Sequence, residues 1–269
     1  MTLRKRFRAA VAAALSFALA AGLFCAGGAA RAGALSQYAE WFSGQSAGPV
    51  PFALPPEAVR LKTRYDVIVA GSDPEGIAAA VSAARNGLTV LLADGRGRTV
   101  PGGLMTLGWL NVIDFSRYNG EVLNKGIFSE WYAMVEGDAF DVGTAAAAFR
   151  RLLEQEKNID VLMPVKSMEP IVTLAGTKKT LTGMRFSTER GSFDIGAGAV
   201  IDATQDGDIF AAAGVPFTYG REDIGDKDAR MAVTLVFRLD GVTPSVWNGI
   251  RQRLRGQKNA GSTQMSAWG

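Results

Sequence analysis

Residues 66–70, Asp-Val-Ile-Val-Ala, run straight into Gly71-Ser72-Asp73-Pro74-Glu75-Gly76 and then into IAAAVSAARNG over 77–87. A short apolar run, a turn of small and polar residues, and a stretch of small helix formers ending at Gly87 predict a strand, a tight turn and a helix. LTVLLAD over 88–94 then predicts a second buried strand, so the segment closes as one βαβ unit. Ala78, Ala79, Ala80, Ala83 and Ala84 give the helix a thin face that suits close packing on a sheet.

Outward from this unit, 140–158 predict a helix capped by Asp141, and IDVLMPV (159–165) and MEPIVTLAG (168–176) predict strands. The alternation in LTGMRFSTERGSFDIGAGAVIDAT (181–204) predicts a hairpin running into one more buried strand. The expected fold class is therefore α/β, a Rossmann-type doubly wound sheet with an antiparallel strand excursion. MAVTLVFRL (231–239) and a helix opened by Thr243-Pro244 and running to about Arg255 read as the start of a second, substrate domain.

The N-terminus has a different character. A basic start, MTLRKRFR, precedes 22 uncharged and mostly apolar residues, Ala9 to Ala30, and the small-x-small pattern Ala30-Arg31-Ala32. This predicts a signal peptide over 1–32 and an exported protein, periplasmic or extracellular, with no stable membrane span after cleavage. Of the whole chain's 29 Lys and Arg, five lie in that leader and none of its 26 Asp and Glu, so the net charge of +3 becomes near −2 once the leader is gone. The basic balance is a property of the leader and supports no nucleic-acid partner. Cys25 is the one cysteine and there is no histidine, so the rest of the chain lacks the usual zinc ligands, and no metal is expected. The domain reading is then signal peptide 1–32, linker 33–62 (Pro/Gly-rich at SAGPVPFALPPEAV), cofactor domain 63–213, and the beginning of a second domain, 214–269.

The chemistry sits in the turn. Gly71-Ser72-Asp73-Pro74-Glu75-Gly76 stands where G-x-G-x-x-G belongs, between strand and helix. There the first Gly allows the turn, the helix N-terminus offers N–H groups to a pyrophosphate, and the last Gly lets helix and strand pack closely. The middle Gly is replaced by Asp73, whose carboxylate repels a pyrophosphate unless its side chain turns away. Asp73-Pro74 also reads as an N-cap and first-turn pair, with the carboxylate accepting from the N–H of Glu75 or Gly76. Asp94, ending the second strand, is placed to accept hydrogen bonds from an adenosine ribose. Pro101-Gly102-Gly103-Leu104-Met105-Thr106-Leu107-Gly108 offers approachable backbone followed by apolar cover, as a flat ring system needs. Tyr219, Arg221 and Glu222 read as an exposed hinge, and Trp109, Trp131 and Tyr132 as packing.

Three ordered stretches, VIVAGSDPEGIAAAVSAARNGLTVLLAD (67–94), GGLMTLG (102–108) and IDATQDGDIFAAAGVPFTYGRE (201–222), resemble the N-terminal part of the bacterial FAD-dependent oxidoreductase family, whose FAD site is of the glutathione-reductase type. The resemblance implies that Gly71, Ser72, Pro74, Glu75 and Gly76, with Asp73 among them, hold pyrophosphate and that Asp94 holds the adenine ribose. It places Gly102, Gly103, Leu104 and Met105 at the flavin, Thr204, Asp206 and Gly207 at the closure of the site, and the backbone near 165–167 at the adenine. Two departures stand out, Asp73 and Gln205, each a polar residue where the family carries glycine. The family's late return to its first domain is not found here, so the chain is expected to be a fragment or an early-terminated product. The expected activity is hydride transfer between flavin and a small-molecule substrate, with the substrate and redox partner undefined. An NAD-dependent dehydrogenase and a non-catalytic exported protein that has lost its cofactor stay open beside it.

Overall fold

The computed structural model describes residues 61–231, 235–236 and 241–256. The expected signal peptide and nearly all of the linker lie outside the described residues, as does most of the strand expected over 231–239. Strand β1 (Arg64–Ala70) lies at the centre, paired in parallel with β2 (Val90–Ala93) on one side. Beyond β2 lies β5 (Ile159–Leu162), also parallel. On the other side of β1 comes β8 (Gly191–Asp202), then β7 (Lys178–Thr188) and β6 (Ser167–Ala175), giving the order β5-β2-β1-β8-β7-β6. A small separate hairpin joins β3 (Arg117–Tyr118) to β4 (Glu121–Val122).

The antiparallel excursion and the last buried strand are one element. The first half of β8 pairs antiparallel with β7 through Gly191↔Thr188 to Gly196↔Gly183, and its second half pairs parallel with β1 through Ala197↔Tyr65 to Asp202↔Ala70. A single 12-residue strand thus carries the chain from the meander into the parallel sheet and delivers Asp202 beside the end of β1.

Alternate residues of the central strands build two cores, as a period of two requires. Val67, Val69, Val90 and Leu92 pack beneath Ile77, Ala80, Val81 and Ala84 of α1 (Pro74–Arg85) and beneath Phe149, Leu152 and Leu153 of α3 (Val142–Glu154). Trp131 of the short α2 (Ile127–Tyr132) completes this core, its ring stacked on Phe149 at 5.0 Å. Ile68, Ala70, Leu91 and Ala93 face the other way, against Met184, Phe186 and Ile195 of the meander and Ile209 of α4 (Asp208–Ala212), and Tyr65 at the start of β1 joins this second core out of alternation. β1 and β2 are covered on both faces, which explains why their sequences are continuous apolar runs.

The helix ends follow local chemistry. Asp141 caps α3, its carboxylate accepting from the N–H of Gly143 at 2.7 Å and of Thr144 at 3.4 Å. Pro74 opens α1, where its missing N–H costs nothing. Beyond Gly214 the described elements are a 3-10 turn (Glu222–Ile224) and α5 (Pro244–Gly256), and among the described residues neither core contains one beyond Ile209. Tyr219, Arg221 and Glu222 lie there, with Tyr219 exposed beneath the guanidinium of Arg230 at 4.0 Å. No helix among the described residues is long and apolar enough to cross a membrane.

Candidate functional site

β1 has β2 on one side and β8 on the other, so the connections leaving these strands part at its carboxyl end. A crevice at such a switch point is where open α/β sheets take ligands. Gly71 prolongs β1 by one ladder bond, its N–H donating to Ala93 at 2.8 Å, while the Ala203 N–H donates to Ala70 at 2.8 Å. With φ of +115°, Gly71 brings its backbone so close to β8 that a Cβ would collide with the Ala203 carbonyl. Gly76 packs the first turn of α1 just as tightly, since a Cβ there would strike the Gly71 carbonyl. Both glycines are therefore fixed by packing between helix turn and strand ends, as the spacing predicts.

The middle of the turn departs from expectation. Asp73 occupies the N-cap position, but its side chain caps nothing. Its Oδ1 accepts from Arg98 Nη1 at 2.6 Å and its Oδ2 from Gln205 Nε2 at 2.7 Å, and the residue is only 3% exposed. The expected bond to the N–H of Glu75 or Gly76 gives way to a charge-assisted bond, which is the stronger partner for a carboxylate. Burial raises the Asp73 carboxyl above the ordinary Asp range; Arg98 opposes this, while Glu75 and Asp94 add to it. The N–H groups of Glu75 and Gly76 donate to no described residue, which leaves them directed out of the helix start.

Asp94 is buried at the end of β2. Its Oδ2 accepts from the Ser72 N–H at 2.8 Å and the Ser72 hydroxyl at 2.6 Å, with Arg98 Nη1 at 3.5 Å. Ser72 thus faces Asp94 across the crevice floor, while Asp94 Oδ1 bonds no described residue. The glycine loop is tied to the same turn, because the Gly102 N–H donates to the Ser72 carbonyl at 2.7 Å. Gly102 lies against the Phe149 ring, and a Cβ on Gly103 would land on the Asp73 carboxylate. The demand for glycine at these two positions comes from the chain's own neighbours, a reason the sequence does not display. In the 3-10 turn Gly103–Met105, Leu104 is exposed and Met105 rests on the helix-side core.

The third motif folds around Asp202. Its Oδ1 accepts from the Thr204 N–H at 3.0 Å and hydroxyl at 2.6 Å, and its Oδ2 from the Phe210 N–H at 2.8 Å. Thr204 in turn accepts from the Asp208 N–H at 2.8 Å, which pins the start of α4 to the end of β8. Gly207 takes the left-handed N-cap position, and Asp206 is exposed with Arg96 at 3.9 Å. Gln205 reaches back across the crevice to Asp73 and to Glu75.

Together these parts enclose a cavity of about 220 Å³, lined by Gly71, Asp73, Asp94, Ala203, Thr204 and Gln205 among others. Ser72, Pro74, Glu75 and Gly76 of the turn, and Gly102, Gly103, Leu104, Met105, Asp206 and Gly207, are not part of its lining. Sequence reasoning missed the lining residues Arg96 and Arg98, together with Gly95, Met168, Ala203, Asp208 and Ile209, and of the facing wall it named only the backbone near 165–167. The signal for the arginines was the basic run Gly95-Arg96-Gly97-Arg98 directly after the strand-end acid. Small-residue walls, uncommitted N–H groups at a helix start, a strand-end carboxylate and nearby cations form a donor set that fits a dinucleotide.

Among solved structures the chain is similar to THI4 of Thermovibrio ammonificans, with 20% identity, TM-score 0.45, and coverage of 57% of this chain and 64% of that one. It is also similar to thioredoxin reductase of Lactococcus lactis (24% identity, TM-score 0.31, 52% and 35% covered). A third is 3-ketosteroid delta1-dehydrogenase of Sterolibacterium denitrificans (12% identity, TM-score 0.39, 53% and 48% covered). The chain spans less than two thirds of the length of each. No curated protein matches it. A family model described as FAD dependent oxidoreductase matches residues 66–267, and with most of its length in that match the chain belongs to this family, whose cofactor is FAD.

Proposed function

We propose that the crevice at the carboxyl ends of β1, β2 and β8 holds FAD and serves hydride transfer between flavin and a small-molecule substrate, in a protein exported after removal of residues 1–32. The observation that carries this reading is the joint placement of Gly71, Gly76, Ser72 and Asp94 at one switch point. The backbone of Gly71, Ser72, Glu75 and Gly76, with Pro74 opening the helix, would cradle the pyrophosphate. Asp94 would accept from the ribose through its uncommitted Oδ1, held in place by Ser72 on Oδ2. The backbone of Lys166 and Ser167 would border the adenine. Gly102, Gly103, Leu104 and Met105 would lie toward the flavin, with Thr204, Asp206 and Gly207 closing the far side. Bound FAD supplies two-electron chemistry at its ring, while the protein supplies binding, orientation and electrostatics. The cofactor domain would end at 213, just past Ile209 of α4, which packs into the meander-side core.

The test is to purify and refold the full chain, record its visible spectrum, and measure melting with FAD and separately with NAD. A ligand specific for the native state must raise stability. Yellow protein that releases FAD on denaturation supports the reading. Stabilisation by NAD alone would point to a nicotinamide-dependent dehydrogenase. Colourless, well-folded protein that neither cofactor stabilises would mean a fold that has lost its ligand.

A further inference from the structure

Three side chains from distant parts of the chain meet between the first turn and the glycine loop. Arg98 Nη1 and Gln205 Nε2 each donate to one oxygen of Asp73, at 2.6 and 2.7 Å. The Asp73 side chain is 4% exposed, and the Gly103 backbone lies so close to its carboxylate that no Cβ fits between them. The carboxylate ignores its own helix start, although an Asp at this position usually caps. A guanidinium, a side-chain amide and open helix N–H groups around a buried anion are the parts of a phosphate seat. Here the anion seated among them belongs to the protein.

Resting on the FAD reading above, we propose that Asp73 is a resident anion in the pyrophosphate seat, and that FAD enters by displacing it and inherits Arg98 and Gln205 as donors. The charges around the seat argue for displacement over sharing. Arg98 already faces two carboxylates, Asp73 at 2.6 Å and Asp94 at 3.5 Å, and Glu75 stands on the adjoining turn, bonded to the same Gln205 amide. Arg96 pairs with Asp208 at 2.6 Å and Lys166 with Glu189 at 2.9 Å, both at solvent-exposed positions, which leaves Arg98 as the least exposed of the three cations lining the cavity. A diphosphate added beside an unmoved Asp73 would leave one guanidinium facing several negative groups, which a partly buried site does not tolerate. Burial that holds the Asp73 carboxyl above its ordinary range, despite Arg98, agrees with a seat that only partly compensates this anion. Asp73 also lines the cavity, so its carboxylate borders the space a ligand would enter.

The experiment titrates the refolded full chain with FAD, followed by flavin fluorescence, and with ADP, followed by calorimetry. The proteins are wild type, Asp73→Gly, Asp73→Asn, and Arg98→Met in both the wild-type and Asp73→Gly backgrounds, each checked for cooperative urea unfolding. Asp73→Gly should tighten FAD and ADP alike by roughly tenfold or more, the scale of removing one like charge from a partly buried site, and Asp73→Asn should tighten them less. Arg98→Met should weaken both ligands by roughly tenfold even in the Asp73→Gly background, because the phosphate then depends on Arg98. Asp73→Gly binding no tighter than wild type overturns the displacement. Arg98→Met without effect in the Asp73→Gly background overturns the inheritance of donors. If neither wild type nor Asp73→Gly takes FAD or ADP, the cofactor reading of the crevice fails, and the inference fails with it.

Discussion

The side-chain amide of Gln205 donates a hydrogen bond to the carboxylate of Asp73 across 2.7 Å, joining residues 132 positions apart in sequence. Both positions carry a polar residue where the resemblance implies glycine, and in the folded protein they are partners. Taken singly each reads as damage to a cofactor site, whereas together with Arg98 they form one hydrogen-bonded group.

That pairing makes their contributions to stability non-additive. Gln205→Gly should lower the unfolding free energy by about 1–2 kcal/mol in the wild type, the usual effect of leaving a buried polar partner short of a bond. In an Asp73→Gly background the same change should lower it by less than about 0.5 kcal/mol. Urea denaturation of the four proteins checks this, and equal losses in both backgrounds would show that the residues act independently.

Asp73 also carries a pH signature. Its folded-state carboxyl is raised above the ordinary 3.8, chiefly by burial, so the native state holds the proton more tightly than the unfolded state does. An acid raised in this way loses stability as pH rises from its unfolded value to its folded value. The unfolding free energy of wild type minus that of Asp73→Asn should therefore fall as pH climbs upward from about 3.8, then level off. A difference that rises over the same interval would mean that Arg98 outweighs burial.

Gly71 is held by contact as much as by dihedral angle. Gly71→Ala must place a Cβ against the Ala203 carbonyl at φ of +115°, and should destabilise the protein by at least about 2 kcal/mol. Melting of the variant checks this, together with its capacity for ADP, which should fall in parallel because the turn and the β8 end must separate.

Asp94 anchors Ser72 through one oxygen, and the other, which bonds no described residue, is the one proposed to meet a ribose. Asp94→Ala should weaken ADP binding by about tenfold or more, since a hydrogen bond to a charged group contributes roughly 1.5–3 kcal/mol. Ser72→Ala should weaken it less, because the Ser72 N–H still holds the carboxylate. Calorimetric titration of both variants separates the ribose contact from the positioning of the acid.

Much of this was legible in the residues as written. Asp141 capping α3, Thr243 and Pro244 opening α5, the buried runs of β1 and β2, and the glycines at 71 and 76 follow from periodicity and from local backbone chemistry. Less legible was that the expected hairpin and the last parallel strand share one continuous β8, since alternation marks a strand but not which neighbour each half will pair with. The cavity wall at Arg98 was also unforeseen, because a basic residue after a strand reads as solvated surface until its partner is known.

By itself, the sequence determined the βαβ opening, the later order of helix and strands from Phe140 to Asp202, and the family, because each depends on spacing along the chain or on a residue's own conformational limits, while the hairpin β3–β4 and α2 carried no such signal. The direction of the Asp73 side chain, its bonds to Arg98 and Gln205, and the reason Gly103 has no room for a side chain were decided only in three dimensions. Sheet order brings the ends of β1, β2 and β8 together, and the partner a buried carboxylate takes depends on which donors that convergence delivers.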